Sequence, residues 1–406
     1  MEFLSFEYGQ DTGLPIIVTS FKLCYHLPMS QPHSLSEKIS NAFEFAQEQV
    51  QHLIETYPDF YPMYSQNGKW KHSGESWTHW CDGFLPGMMW IFYARTGQER
   101  WLEHAVPYTQ ALESRKFDRS VHDLGFLFWS TYKRWFDLTA DPVLNEVVIT
   151  AGKTLGLRFQ EKGGYLCSFI GKDSLFIDIM MNVGIIFYAA LQTGDTALLQ
   201  KAHRHCMTSR RYLVRGDGST AHEGIFDLET GEFLRQSTHQ GWRGDSAWAR
   251  GLAWSLYGFS TVYTLTGDRR YLATAQLCAD FYLEHTSFEH EAPFGPGIPP
   301  NDYDDVRSPT MPESSAAAIA ASGLLDLAEL VQDPIRRQVY QRSALTILDT
   351  LSGARYLAQH QPGWEGILMH GIYHLNKGLG VDESVMWGEY FFVEAIEKAL
   401  TILEKA

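Results

Sequence analysis

The stretch SSAAAIAASGLLDLAELVQDPIRR, Ser314 to Arg337, decides the fold. Its first part is apolar nearly all round, the pattern of a helix buried on every side. A polar turn closes it and supplies Asp333 near the start of a second, amphipathic stretch, as a helix start requires. The same junction recurs as RTGQERWL from Arg95, LTADPVLN from Leu138, QTGDTALL from Gln192 and LTGDRRYL from Leu265. The segments ahead of these turns repeat the apolar character: GFLPGMMWIFYA from Gly83, LGFLFWSTYKRWF from Leu124, DIMMNVGIIFYAAL from Asp178 and SAWARGLAWSLYGF from Ser246. ESVMWGEYFFVEAIEKAL from Glu383 supplies a sixth buried helix. The segments after the turns, such as Glu99 to Leu112 and Arg269 to Leu283, carry charge on one face and read as an outer layer. Leu35 to Ile54 adds the amphipathic helix that closes the ring. The expectation is an all-α chain, an (α/α)6 barrel of six inner and six outer helices over residues 35–406, with residues 1–34 a separate N-terminal extension. Uneven spacing puts the extra length in loops. The longest, APFGPGIPPNDYDD from Ala292 to Asp305, is expected to be functional.

Composition narrows the partners. The 406 residues carry 33 Lys plus Arg against 48 Asp plus Glu, a net charge of −15, which gives a polyanion no basic face and argues against nucleic acid. With 14% aromatic and only 20% charged residues, the chain buries enough apolar surface to offset its conformational entropy. Cys24, Cys81, Cys167, Cys206 and Cys278 are scattered without a CxxC pair, so neither a disulfide framework nor a thiolate zinc site is expected. The start MEFLSFEYGQDTG is acidic where a secretory leader is basic, and the longest apolar run, Val183 to Leu191, is too short to span a bilayer. The expectation is a cytoplasmic protein with no membrane partner; monomer and homodimer remain equally open.

Sequential hairpins bring every inner helix start to one end of the barrel. Collected there are Trp77, His79, Trp80, His122, Asp123, Asp173, Asp178, Gln240, Trp242, Arg243, Asp245, Trp248, Arg250, Glu313, Asp382, Glu383 and Trp387. Carboxylates among indoles suit a sugar, whose ring stacks on aromatic faces while its hydroxyls take charged hydrogen bonds. An Asp or Glu ahead of a buried helix is a cap by default, which covers Asp123, Asp245 and Glu313. Asp178 differs, because Leu175, Phe176, Ile177, Ile179, Met180 and Met181 frame it and desolvation should favour its protonated form. His203, His205 and Cys206 alternate on a segment read as outer and solvated, and no metal or other cofactor is expected. Neither a Gly-x-Ser-x-Gly elbow nor a phosphate loop occurs.

The strings SWTHWCDGFLPGMMW (Ser76–Trp90), HDLGF (His122–Phe126), FIDIMMN (Phe176–Asn182), THQGW with DSAWARGLAW (Thr238–Trp254) and DESVMWGEYFFVEA (Asp382–Ala395) together resemble the unsaturated glucuronyl hydrolases, glycoside hydrolase family 88. The likeness is collinear from Leu35 to the C-terminus. It implies an (α/α)6 barrel that cleaves a 4,5-unsaturated uronic acid from the non-reducing end of oligosaccharides left by polysaccharide lyases. It also implies that Asp123 and Asp178 are the catalytic carboxylates. Substrate would be bound by Trp77, His122, His222, Gln240, Trp248, Arg250 and Trp254, with Tyr373 and His374 beside them.

In that chemistry the substrate is an enol ether, and protonation at carbon 4 leaves an oxocarbenium ion at carbon 5 that water captures. Asp178 is the expected acid and, once deprotonated, the base for water; Asp123 is expected to stay ionised. Arg250 is read either as the counter-charge for the substrate carboxylate or as half of a buried ion pair, and Trp77, Trp248 and Trp254 either as stacking platforms or as core. A sister activity on unsaturated galacturonyl-rhamnose, a sugar epimerase and a non-catalytic sugar-binding barrel stay open. GIYHLNKGLG (Gly371–Gly380) offers Lys377 but no serine, which favours unsulfated substrates.

Overall fold

A computed structural model describes residues 32–73, 79–307 and 310–405. At Gly97, Ala140, Gly194 and Gly267 the chain leaves a helix in the left-handed conformation, with φ of 65°, 55°, 67° and 68°. Each amide then bonds to the carbonyl four residues back. Asp141, Asp195 and Asp268 directly follow the last three, each carboxylate accepting a backbone amide of the next helix, and Asp333 caps in the same way after the extended Val331. Each junction therefore stops one helix and starts the next within a few residues, which forces an antiparallel hairpin.

The outer helices are α1 (Pro32–Thr56), α3 (Glu99–Ala111), α6 (Pro142–Gly156), α8 (Thr196–Tyr212), α10 (Arg269–His285) and α12 (Pro334–Leu351). Between them run the inner elements: α2 (Phe84–Thr96), α4 (Leu124–Phe128) with α5 (Tyr132–Thr139), α7 (Gly184–Thr193), α9 (Ala249–Thr266), α11 (Ser314–Leu330) and α13 (Met386–Leu403). Each inner element touches the next and α13 returns to α2, so the ring is closed. The structure is the (α/α)6 barrel. Its first helix starts at Pro32, and no helix among the described residues is long and apolar enough to cross a membrane.

Two inner segments depart from one continuous helix. LGFLFWSTYKRWF breaks between α4 and α5, where the hydroxyls of Ser130 and Thr131 bond back to the carbonyls of Phe126 and Leu127 and compete with the helical ladder. DIMMNVGIIFYAAL opens as a 3-10 turn, Ile177–Met181, and becomes α-helical only at Gly184. Asp178 thus sits on a tight turn at the mouth of the barrel.

Four small antiparallel sheets lie in the loops: β1 (Ser65–Gln66) with β2 (Lys69–Trp70), β3 (Phe159–Gln160) with β4 (Tyr165–Leu166), β5 (Ser174–Phe176) with β6 (Glu223–Phe226) and β7 (Phe233–Ser237), and β8 (Gly371–His374) with β9 (Leu379–Glu383). Strands β5 and β6 hold the chain extended up to Phe176, opposite Glu223, immediately before the Asp178 turn. The Ala292–Asp305 loop acts as a strap. Asp302 accepts the Trp242 amide at 2.9 Å and the Ser246 hydroxyl at 2.6 Å, fixing the segment that enters α9.

Across the barrel axis Phe84, Phe126, Trp254 and Phe391, from α2, α4, α9 and α13, form an aromatic plug with successive ring centroids 5.3, 5.1, 5.4 and 5.6 Å apart. Deeper still, Glu394 accepts from Arg134, from Ser322 at 2.6 Å and from Tyr257 at 2.8 Å. Burial alone would raise its pKa, but Lys398 and Arg134 bring it down to about 2.

Candidate active site

HDLGF and FIDIMMN interlock through two residues. The side-chain oxygen of Asn182 accepts the Phe126 amide at 2.8 Å, and the Asn182 amide nitrogen donates to the Asp178 carbonyl at 3.1 Å. Gly125 lies flat on this joint, since a Cβ there would stand 2.4 Å from the Asn182 Cα. This contact, local to neither motif alone, brings the Asp123 and Asp178 carboxyls into one cavity.

That cavity is lined by Trp80, His122, Asp123, Phe169, Phe176, Asp178, Gln240, Arg250 and Tyr373. Asp123 stands at the head of α4 but makes no capping bond, so its carboxyl is left for the cavity. Glu313 does what a cap does, accepting the amides of Ser315 and Ala316, and it also accepts the amide of Ile372 on β8 at 3.1 Å. Asp245 points to solvent beside Arg243, Asp382 pairs with His370 at 2.5 Å, and Glu383 binds the amides of Asn67 and Gly68. Of the carboxylates gathered from the sequence, Asp123 and Asp178 line the cavity.

Burial raises the pKa of both. Asp178 is pushed from 3.8 to about 6, with the positive Arg250 opposing the rise. Asp123 lies deeper and is pushed well above the ordinary carboxylate range by burial and then by the negative charge of Asp178. Burial thus works against the expectation that Asp123 stays ionised, while Arg158 and Arg115 oppose the rise.

Arg250 is neither a free counter-ion nor half of a direct ion pair. Its guanidinium donates to the carbonyls of Ile372 and Tyr373 and to the side-chain oxygen of Gln240, between the rings of Trp248 at 4.4 Å and Trp387 at 5.0 Å. All three acceptors are neutral, and its charge acts first on the buried Glu313 carboxyl and then on Asp178. The bond to Arg250 also turns the Gln240 NH2 group away from the guanidinium, ready to donate to a ligand.

The other expected contacts divide. Tyr373 reaches the cavity, whereas His374, its neighbour on β8, is buried beside it. His222 is buried with Nε2 3.6 Å from Asp178, its ring against Phe176 and Trp248. Trp248, 1% exposed, is a spacer between His222 and Arg250 and does not line the cavity; Trp254, also 1% exposed, belongs to the aromatic plug. The indole platforms expected at these two positions are replaced by Trp80, Phe169, Phe176 and Tyr373. Phe169 had no signal beyond an aromatic in a loop. Trp77 lies outside the described residues. His205 and Cys206 turn inward on α8, contrary to the solvated reading, and His205 Nδ1 accepts the Leu166 amide at 3.1 Å. Among the described residues no group of three His, Cys, Asp or Glu is arranged to hold a metal ion.

The profile of Glycosyl Hydrolase Family 88 matches residues 47–266. The unsaturated glucuronyl hydrolase of Bacillus sp. (strain GL1) is 31% identical over 84% of this chain and 92% of its own length. A crystal structure of an unsaturated glucuronyl hydrolase specific for heparin superposes with a TM-score of 0.82, at 28% identity, covering 91% of this chain and 99% of that one. A variant of the Streptococcus agalactiae unsaturated glucuronyl hydrolase complexed with dGlcA-GalNAc6S gives a TM-score of 0.75 at 26% identity, covering 92% and 96%.

Proposed function

The chain belongs to Glycosyl Hydrolase Family 88, and from that premise we propose that it releases 4,5-unsaturated uronic acid from the non-reducing end of lyase-generated oligosaccharides by hydrating the enol-ether double bond. The observation that carries the reading is the pair Asp123 and Asp178, two carboxyls that burial keeps easy to protonate, in a cavity whose only lining cation is Arg250 among the described residues. The substrate carboxylate is drawn by Arg250 and held by the Gln240 amide. Its negative charge lifts the Asp178 pKa further, so that substrate binding itself loads the acid. Asp178 then protonates carbon 4 of the ring, and its new carboxylate faces the oxocarbenium ion at carbon 5. The same carboxylate takes a proton from the attacking water, and the hemiketal opens and expels the aglycone. Asp123 holds a ring hydroxyl. The relatives named above act on glucuronyl substrates, which favours unsaturated glucuronyl over galacturonyl-rhamnose ends.

The test is decay of the ultraviolet absorbance of an unsaturated disaccharide. Asp178→Asn should lower kcat by about 10²–10⁴-fold, the usual worth of a positioned acid. Unaltered turnover in that variant removes Asp178 from the chemistry. Within the substrate class we favour unsulfated disaccharides, because Gly371–Gly380 carries Lys377 and no serine; faster turnover of a sulfated disaccharide refutes this. Four free, buried thiols, Cys81, Cys167, Cys206 and Cys278, support a reducing compartment, the cytoplasm.

A further inference from the structure

Two histidines flank the carboxyl pair, and loop amides fix the same ring nitrogen in both. The Phe169 amide donates to His122 Nδ1 at 3.0 Å. The His239 amide donates to His222 Nδ1 at 3.2 Å, the Gln240 amide reaches the same atom at 3.5 Å, and the Thr238 hydroxyl, 3.1 Å away, can donate to it as well. A backbone N–H only donates, so each Nδ1 is an acceptor and each neutral ring carries its hydrogen on Nε2. His122 Nε2 lies 3.3 Å from Asp123 Oδ1, and His222 Nε2 lies 3.6 Å from Asp178 Oδ2. Both His222 Nε2 and Asp178 Oδ2 are buried, and among the described residues neither has a hydrogen-bond partner, so each is the nearest group that can satisfy the other.

We propose that His122 and His222 are positioning residues: neutral Nε2–H imidazoles, locked in that tautomer by loop amides, each presenting one hydrogen to one carboxyl of the catalytic pair. A donor without charge orients a carboxyl and leaves it able to take up a proton. An imidazolium in the same place would hold the carboxyl ionised and remove the acid. Burial keeps both rings neutral, opposing their protonation together with nearby Arg158 and His205 for His122, and His239, Arg250 and His374 for His222. With Asp178 Oδ2 turned to His222, Oδ1 is left to carry the proton toward the substrate.

The first test is independent of activity. Nitrogen-15 spectra of the imidazoles in the full-length protein, assigned with His122→Gln and His222→Gln, should show both rings neutral and Nε2–H between about pH 5 and 8, where an ordinary histidine titrates. An Nδ1–H ring, or an imidazolium appearing in that range, overturns the proposal. The second test is kinetic and rests on the reading of Asp178 as proton donor. The groups facing Asp178 are Asp123, Arg250 and His222, and the first two are untouched in the variants. His222→Leu removes the donor and should move the pH at which kcat/KM falls upward by about one unit, while His222→Gln, which keeps a side-chain N–H, should restore it. If both variants raise KM equally and leave that pH unmoved, His222 contacts substrate directly and the proposal fails. A wild-type protein without turnover refutes the proposed function instead, and the spectra still decide the tautomers.

Discussion

Replacing Asp178 by Asn should make the protein more stable while making it inactive, and the size of the gain follows from burial. The carboxyl is raised from 3.8 to about 6 in the folded chain. That is a shift of about two units, and at 1.36 kcal/mol each it amounts to roughly 3 kcal/mol. The native state binds more protons than the unfolded state between these two pKa values, so stability falls as pH rises through the window and levels off above about 6. Some water reaches the group, whose side chain is 14% exposed, so the usable figure is nearer 2 kcal/mol. Asparagine carries no charge to desolvate, and it also relieves the repulsion that raises Asp123. Urea unfolding at pH 7.5 should therefore show Asp178→Asn more stable than wild type by about 2 kcal/mol, with the difference shrinking steadily toward pH 4. A variant less stable than wild type at pH 7.5, or a gain independent of pH, would refute the claim that this carboxylate is held in a desolvated site at a cost to folding.

Three further outcomes can be read with standard assays. With Asp178 the acid, kcat/KM of the wild type should fall about tenfold per unit as pH rises above about 6, because only the protonated free enzyme donates; a flat profile up to pH 8 excludes it. Gly125→Ala places a methyl 2.4 Å from the Asn182 Cα, and should cost about 1–3 kcal/mol in denaturant unfolding together with a fall in kcat as the two carboxyls are pushed apart. Glu394→Gln leaves Arg134 without its counter-charge, while Lys398 keeps Asp326 at 2.7 Å, and should cost about 3 kcal/mol of stability, with kcat per folded molecule retained because the aromatic plug separates this network from the cavity.

The barrel was legible because its junctions are local events. Turns such as QTGDTALL and LTGDRRYL carry their own stop and start signals, and the apolar segments between them leave a helix no face to expose. The break at Ser130 and Thr131 was not legible, since hydroxyl groups in an apolar run fit a helix as readily as a kink until their carbonyl partners are known. At the site, Asp178 announced itself by its apolar frame, and the family motifs brought Asp123 with it. What the pattern hid was depth. Trp248, Trp254, Trp80 and Phe169 are all aromatics near helix starts or in loops, yet two lie behind the wall and two form it, and only three-dimensional packing distinguishes them. The environment of Asp123 was hidden for the same reason, because it depends on how deeply the carboxyl is buried and on its nearness to Asp178.

The plug of Phe84, Phe126, Trp254 and Phe391 makes the cavity a blind alley. A sugar chain cannot thread through, so one terminal ring enters per visit and the liberated uronate backs out past the mouth before the shortened chain can return. The pace on a digested polysaccharide is then governed by how many chain tips the upstream lyase has created, not by the mass of polymer present.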